Sequence, residues 1–158
     1  MGIKKMIDKI PNQIKLQVFA DEKAVEGILC LLTAESNYKN NFNSIIGPSD
    51  SNGNIYISRE NILSNANEDV KNFMMDYGNP LNCITGNYTI TPMSISELNK
   101  AKAAFKSFNE FFQYPTGYIN TIKNAISLLS NSSFLELKVK VISIDGNVKV
   151  KTNSKKIN

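Results

Sequence analysis

The stretch Gly47–Arg59, GPSDSNGNIYISR, is a turn of small polar residues, among them Ser49, Asp50, Asn52 and Asn54, and it ends on the chain's single guanidinium. Asp50, Asn52 and Asn54 alternate as the first ligands of a calcium loop do. An EF-hand needs Gly at its sixth position and an acid at its twelfth, whereas counting from Asp50 puts Gly53 fourth and Asn61 twelfth. Pro48, Asp50, Asn52 and Gly53 are the residue types that fix or permit turn dihedrals, so turn formation accounts for them and no metal is expected. Arg59 stands beside Glu60 and near Asp50, which favours a structural ion pair. The sharper reading is an anion site, with Arg59 at the start of the following helix facing a carboxylate or phosphate.

Other chemistry is removed by composition. The chain contains no His, which excludes Ser-His-Asp and Cys-His catalysis, histidine metal sites and a histidine pH switch. Cys30 and Cys83 stand alone without CxxC spacing, too few for a zinc cluster. Cys30 lies inside the apolar run Ile28-Leu29-Cys30-Leu31-Leu32, where core packing explains it; Cys83 has no base to activate it. The expectation is a non-enzyme without cofactors.

Charge offers binding rather than catalysis. Net charge is +4, carried by 17 Lys and one Arg. Nucleic-acid readers favour Arg for bidentate contacts, so the balance argues only weakly for that partner. Four lysines nevertheless gather near the end of the chain. Asp145-Gly146 is a strong two-residue hairpin signal between two alternating runs. A hairpin there puts Leu135, Leu137, Val139, Val141, Val148 and Val150 on one face and Lys138, Lys140, Lys149 and Lys151 on the other. Such a face is ordinarily a solvated edge that blocks aggregation. It carries no aromatic for base stacking, so docking on an acidic protein surface is the better functional use. The second binding candidate is apolar: Phe105, Phe108, Phe111 and Phe112 bury more than one helix face can supply. Either the rest of the fold covers them or part of that helix meets a partner or a second copy.

The elements that must position these residues follow from periodicity. At 158 residues the chain suits one domain, or a small domain with an appendage. Residues 1–11 form a basic lead stopped by Pro11, either a helical turn or a loose arm. Ile14, Leu16 and Val18 alternate as a first strand, Asp21-Glu22-Lys23 turns, and Ala24–Ala34 reads as a strand buried on both faces. Ile55 and Ile57 alternate with Asn54, Tyr56 and Ser58 as a strand leaving the corner. Ile62, Ala66, Val70, Phe73, Met74 and Tyr77 form a helical stripe ending at Gly78-Asn79-Pro80. Leu81–Pro92 returns to strand with a turn at Gly86-Asn87. Ser94-Ile95-Ser96-Glu97 is a capping box, opening a helix that breaks at Tyr114-Pro115-Thr116-Gly117 before a second over Ile119–Leu129. Two such stripes imply a helical hairpin.

Three segments together resemble a family. Gly27-Ile28-Leu29-Cys30-Leu31-Leu32 is similar to the G-x-x-V-x-L strand of transthyretin-like (carboxypeptidase regulatory-like, prealbumin-type) domains. Ser49-Asp50-Ser51-Asn52-Gly53-Asn54-Ile55 resembles their T/S-D-x-x-G-x-apolar corner, and Gly86-Asn87-Tyr88-Thr89-Ile90 their G-x-Y-x-apolar strand. The three cover roughly residues 13–93 in the family's order. The resemblance implies a Greek-key β-sandwich and mostly accessory or binding roles. The family's enzymatic branch, which hydrolyses 5-hydroxyisourate, needs histidines and a C-terminal Y-R-G-S; this chain has neither. One departure is the helix between the second and third segments.

The resulting expectation is an α+β fold. A transthyretin-like sandwich with an inserted helix occupies 1–93, and 94–158 add a helical hairpin and a basic β-hairpin packed on it. The function expected is protein–protein interaction or self-association through the Phe-rich helix and the lysine face, with nucleic-acid or nucleotide binding by the same lysines as the alternative. No apolar run is long enough to span a membrane and no leader is visible, which points to a cytoplasmic chain.

Overall fold

The computed structural model describes residues 9–37, 41–59, 84–103 and 118–157. Among these residues, nine strands form two sheets and two helices accompany them, a sandwich-like α+β arrangement.

Strand β1 (Gln13–Ala20) is central to the first sheet. Its alternation sends Ile14, Leu16, Val18 and Ala20 into the core and leaves Lys15, Gln17 and Phe19 half-buried on the opposite face. The chain turns at Asp21-Glu22, both at positive φ (48° and 72°), into the two-residue β2 (Lys23–Ala24). Further back along the same edge, β1 pairs antiparallel with β5 (Asn54–Ser58). Its other edge is taken by β7 (Glu136–Asp145), from Gln13 opposite Asp145 to Ala20 opposite Leu137. The register slips between Lys15 and Leu16, leaving Ile142 as the extra residue of a β-bulge. Beyond Glu136 and Leu137 lies the short β9 (Lys155–Lys156).

The second sheet runs β4 (Phe42–Ile46), β3 (Cys30–Ser36), β6 (Ile84–Pro92), β8 (Lys149–Thr152). β3 is antiparallel to both neighbours, while β8 lies parallel to β6. Strand structure begins at Cys30, not at Ala24 as the apolar run suggested. Ile28 and Leu29 are buried, but they belong to the crossing between sheets; apolarity records burial, not ladder pairing. Gly86-Asn87 is likewise no turn, because β6 runs through it with Gly86 at φ +94°.

The stretch Gly47–Gly53 is the corner by which the chain passes from β4 in one sheet to β5 in the other. Gly47, before a cis Pro48, has φ +108°, and a Cβ there would sit 2.9 Å from the Ile28 carbonyl oxygen. Ser49 is buried: its Oγ donates to the Val25 carbonyl (2.7 Å) and accepts from the Ile28 N–H (3.0 Å). Asp50 closes the loop, one carboxylate oxygen accepting from the N–H groups of Asn52 and Asn54 at 2.9 Å each.

The expected terminal β-hairpin does not form. After Asp145-Gly146 the chain leaves the first sheet, where β7 pairs with β1, and enters the second, where β8 pairs with β6. The alternation holds from Leu137 onward, but its partner strand differs. Leu137 and Val139 face the core from one sheet, and Val148 and Val150 pack against it from the other side. Two strands facing one another across a core show the same period as two strands of a hairpin. Leu135 departs further: it precedes β7 and is 76% exposed, outside the apolar face assigned to it.

Helix α1 (Ile95–Ala103) starts with the capping box as expected, Glu97 N–H on Ser94 Oγ (3.4 Å) and Ser94 N–H on Glu97 Oε1 (3.1 Å). It packs against α2 (Tyr118–Ser130), and Leu98, Ala101, Ile122, Ala125 and Leu129 join the common core. The chain end stitches α1 to β7: Ile157 is buried, donates to the Leu135 carbonyl and accepts from the Ile95 N–H. The helical stripe from Ile62 to Tyr77, Cys83 and the break at Tyr114–Gly117 lie outside the described residues. Among the described residues no helix is long and apolar enough to cross a membrane.

Candidate functional site

The four terminal lysines do not share a face. Lys138 and Lys140 project from the outer side of the first sheet, because Leu137 and Val139, with which they alternate, point inward. Lys149 and Lys151 lie beside Asn87 and Thr89 on the outer side of the second sheet. All four are exposed. The postulated lysine face is therefore two faces on opposite sides of the core. Phe105, Phe108, Phe111 and Phe112, the apolar half of the expected interface, lie outside the described residues.

The outer face of the first sheet gains residues that were not grouped from the sequence. Reading across β5, β1 and β7, one row is Tyr56–Lys15–Ser143, the next Asn54–Gln17–Lys140, and a third places Phe19 opposite Lys138. Tyr56 is 51% exposed, and the Lys15 ammonium lies 5.6 Å from its ring centroid. That cation–π contact contributes on the order of 0.5–1 kcal/mol at an exposed site. Gln17 Nε2 donates to the Asn52 carbonyl at 3.0 Å, tying this row to the corner loop. The acids on the face, Asp145 and Glu136, stand at the two ends of β7, so its middle is cationic and aromatic.

The outer face of the second sheet is built differently. Glu35 accepts from Thr85 Oγ1 (2.6 Å) and Asn87 Nδ2 (2.7 Å) on one carboxylate oxygen. These two side-chain donors, Thr85 first, hold the Glu35 carboxyl below its usual range. Thr33 donates to Asn43 Oδ1 at 2.9 Å, and Asn153 Nδ2 donates to Thr91 Oγ1 at 3.0 Å. Its polar side chains are largely engaged with one another.

Arg59 sits at the end of β5 and turns inward. Its Nε and Nη2 both donate to the Ile10 carbonyl (3.2 and 2.6 Å), while its own N–H donates to the Asn12 carbonyl (2.9 Å). The guanidinium thus anchors the segment leading into β1. Cys30 is fully buried as a free thiol, and burial pushes its pKa up, away from nucleophilic use. Among the described residues no three acidic or thiol side chains gather closely enough to hold a metal ion. Two open depressions of about 440 and 460 Å³ flank Leu135, the second lined by Asp21, Glu22, Glu136 and Lys138. Asp21 there is occupied structurally, its carboxylate accepting from the N–H groups of Leu135 and Glu136.

Sequence reasoning missed Phe19, Lys15 and Tyr56 as neighbours of Lys138 and Lys140. Alternation alone sets Lys15 and Tyr56 outward on their strands, and that signal was available. Which strands lie side by side is decided by long-range pairing, which period two does not encode. Comparison with protein-family models, with curated proteins and with solved structures finds no match.

Proposed function

We propose that this protein is a non-enzymatic interaction module that self-associates by pairing β7 with the same strand of a second copy. The observation that carries this reading is the outer edge of β7: among the described residues, no strand lies beside it from Lys138 to Asp145. Two exposed aliphatic side chains lie in that span, Ile142 at 42% and Ile144 at 38%. An open edge offers unpaired backbone groups to an incoming strand. Antiparallel self-pairing about a two-fold axis can set Lys138 opposite Asp145 and Val139 opposite Ile144 of the second copy. That register matches charge with charge and inward side chain with inward side chain. We also propose that the sandwich is a Greek key of the transthyretin-like type. Supporting this, the three resembling segments fall, in the family's order, at the entry to β3, at the corner between sheets and in β6.

Light scattering of the purified chain at low and high salt tests the association. The expected result is a dimer that resists salt and that Ile142→Lys converts to monomer. A monomer at every concentration tried, or a dimer indifferent to Ile142→Lys, overturns the reading.

A further inference from the structure

We infer that the outer face of the first sheet is a binding site for single-stranded nucleic acid; it shares β7, Lys138 included, with the proposed pairing edge and does not rest on that pairing. Lys138 and Lys140 lie two residues apart on β7, and Lys15 lies diagonally beyond Lys140 on β1, since Gln17 is opposite Lys140. Strand geometry spaces these three cations by roughly 7–8 Å at the backbone. They form an oblique line across the sheet that an extended phosphate backbone can follow.

Two aromatics flank this line. Tyr56 stands beside Lys15 and Phe19 stands beside Lys138, with the amides of Asn54 and Gln17 in the row between. Neither ring belongs to the core: Tyr56 is half exposed, and Phe19 is partly exposed on the face away from Leu16 and Val18. A half-exposed ring on an open sheet is a platform for a base, because every base offers a π-face. Cations alone would suit any polyanion, including an acidic peptide. The aromatic rings at the ends of a cationic line favour a ligand carrying both phosphates and flat bases.

The rings select single strands. The bases of a duplex are stacked on one another and closed to the rings, whereas those of a single strand are free to stack on them. The second sheet lacks the combination, since its lysines lie opposite Asn87 and Thr89, and Asn87 is itself bonded to Glu35.

The test is fluorescence anisotropy with labelled deoxythymidine and uridine dodecamers, a duplex of equal length and a polyglutamate peptide. Binding to the single strands should weaken with salt, with a log–log slope of about −2 for three lysine contacts. Lys138→Glu with Lys140→Glu should abolish it. Tyr56→Ala should raise Kd roughly fivefold or more, the loss of one stacked base. Lys149→Glu with Lys151→Glu, the same charge change on the opposite sheet, should leave Kd within about twofold once the general effect of net charge is matched by salt. These side chains are exposed, and circular dichroism checks that each variant is folded. Absent binding at low salt, equal loss from both lysine pairs, or preference for duplex or polyglutamate each overturns the assignment.

Discussion

At the scale of single residues, the corner between the sheets depends on one buried hydroxyl. Ser49 Oγ serves the Ile28 N–H and the Val25 carbonyl together, in a place solvent does not reach. Ser49→Ala removes both bonds and leaves a buried donor and acceptor less well satisfied. The expected cost is about 1–3 kcal/mol, read as a lower urea midpoint at unchanged slope. Ser51→Ala, an exposed neighbour, should stay within about 0.5 kcal/mol. The corner was legible as a turn from Pro48, Asp50, Asn52 and Gly53, and Asp50 does organise the loop through its own backbone. The role of Ser49 was not legible. Its partners Val25 and Ile28 lie more than twenty residues earlier, and a serine in a polar turn carries no sign of burial.

Strands and their partners are read less directly. Three core strands announce themselves by alternation, Ile14, Leu16 and Val18 in β1, Ile55 and Ile57 in β5, Leu137 and Val139 in β7, whereas β3 shows only as part of a continuous apolar run. Asp145-Gly146 then gave a local reason to fold β7 back on β8, whereas the chain crosses to the other sheet at that point. A turn dipeptide states that the chain reverses, not which ladder it joins. The difference has a measurable consequence. A hairpin would put Lys140 directly opposite Lys151, and such a like-charge pair would show a coupling of about 0.2–1 kcal/mol. With the two lysines on separate sheets, a double-mutant cycle of Lys140→Glu and Lys151→Glu should give a coupling near zero, within about 0.3 kcal/mol. Urea denaturation of the two single variants and the double variant measures it. A coupling near 1 kcal/mol would restore the hairpin.

For the whole molecule, the pairing of early with late segments makes a statement about cooperativity. The sequence divides near residue 93, where strand-rich pattern gives way to helical stripes. Across that division β7 pairs with β1 along the full length of β1, and β8 extends the sheet of β6. Core side chains from β1, β3, β6, α1, α2 and β7 belong to one cluster. A chain so connected loses its late strands and its early ones together. Leu16, fully buried at the centre of β1, is the place to test this. Leu16→Ala should cost about 2–5 kcal/mol, through lost transfer energy and the cavity left behind. It should do so in a single transition, with far-ultraviolet dichroism and tyrosine fluorescence falling at the same denaturant concentration. Tyrosine is a clean second probe because the chain has no Trp. Leu135→Ala, at a side chain mostly in water, should change stability by less than about 0.5 kcal/mol. Two separated transitions, only one of them moved by Leu16→Ala, would mean that residues beyond 93 form a unit of their own.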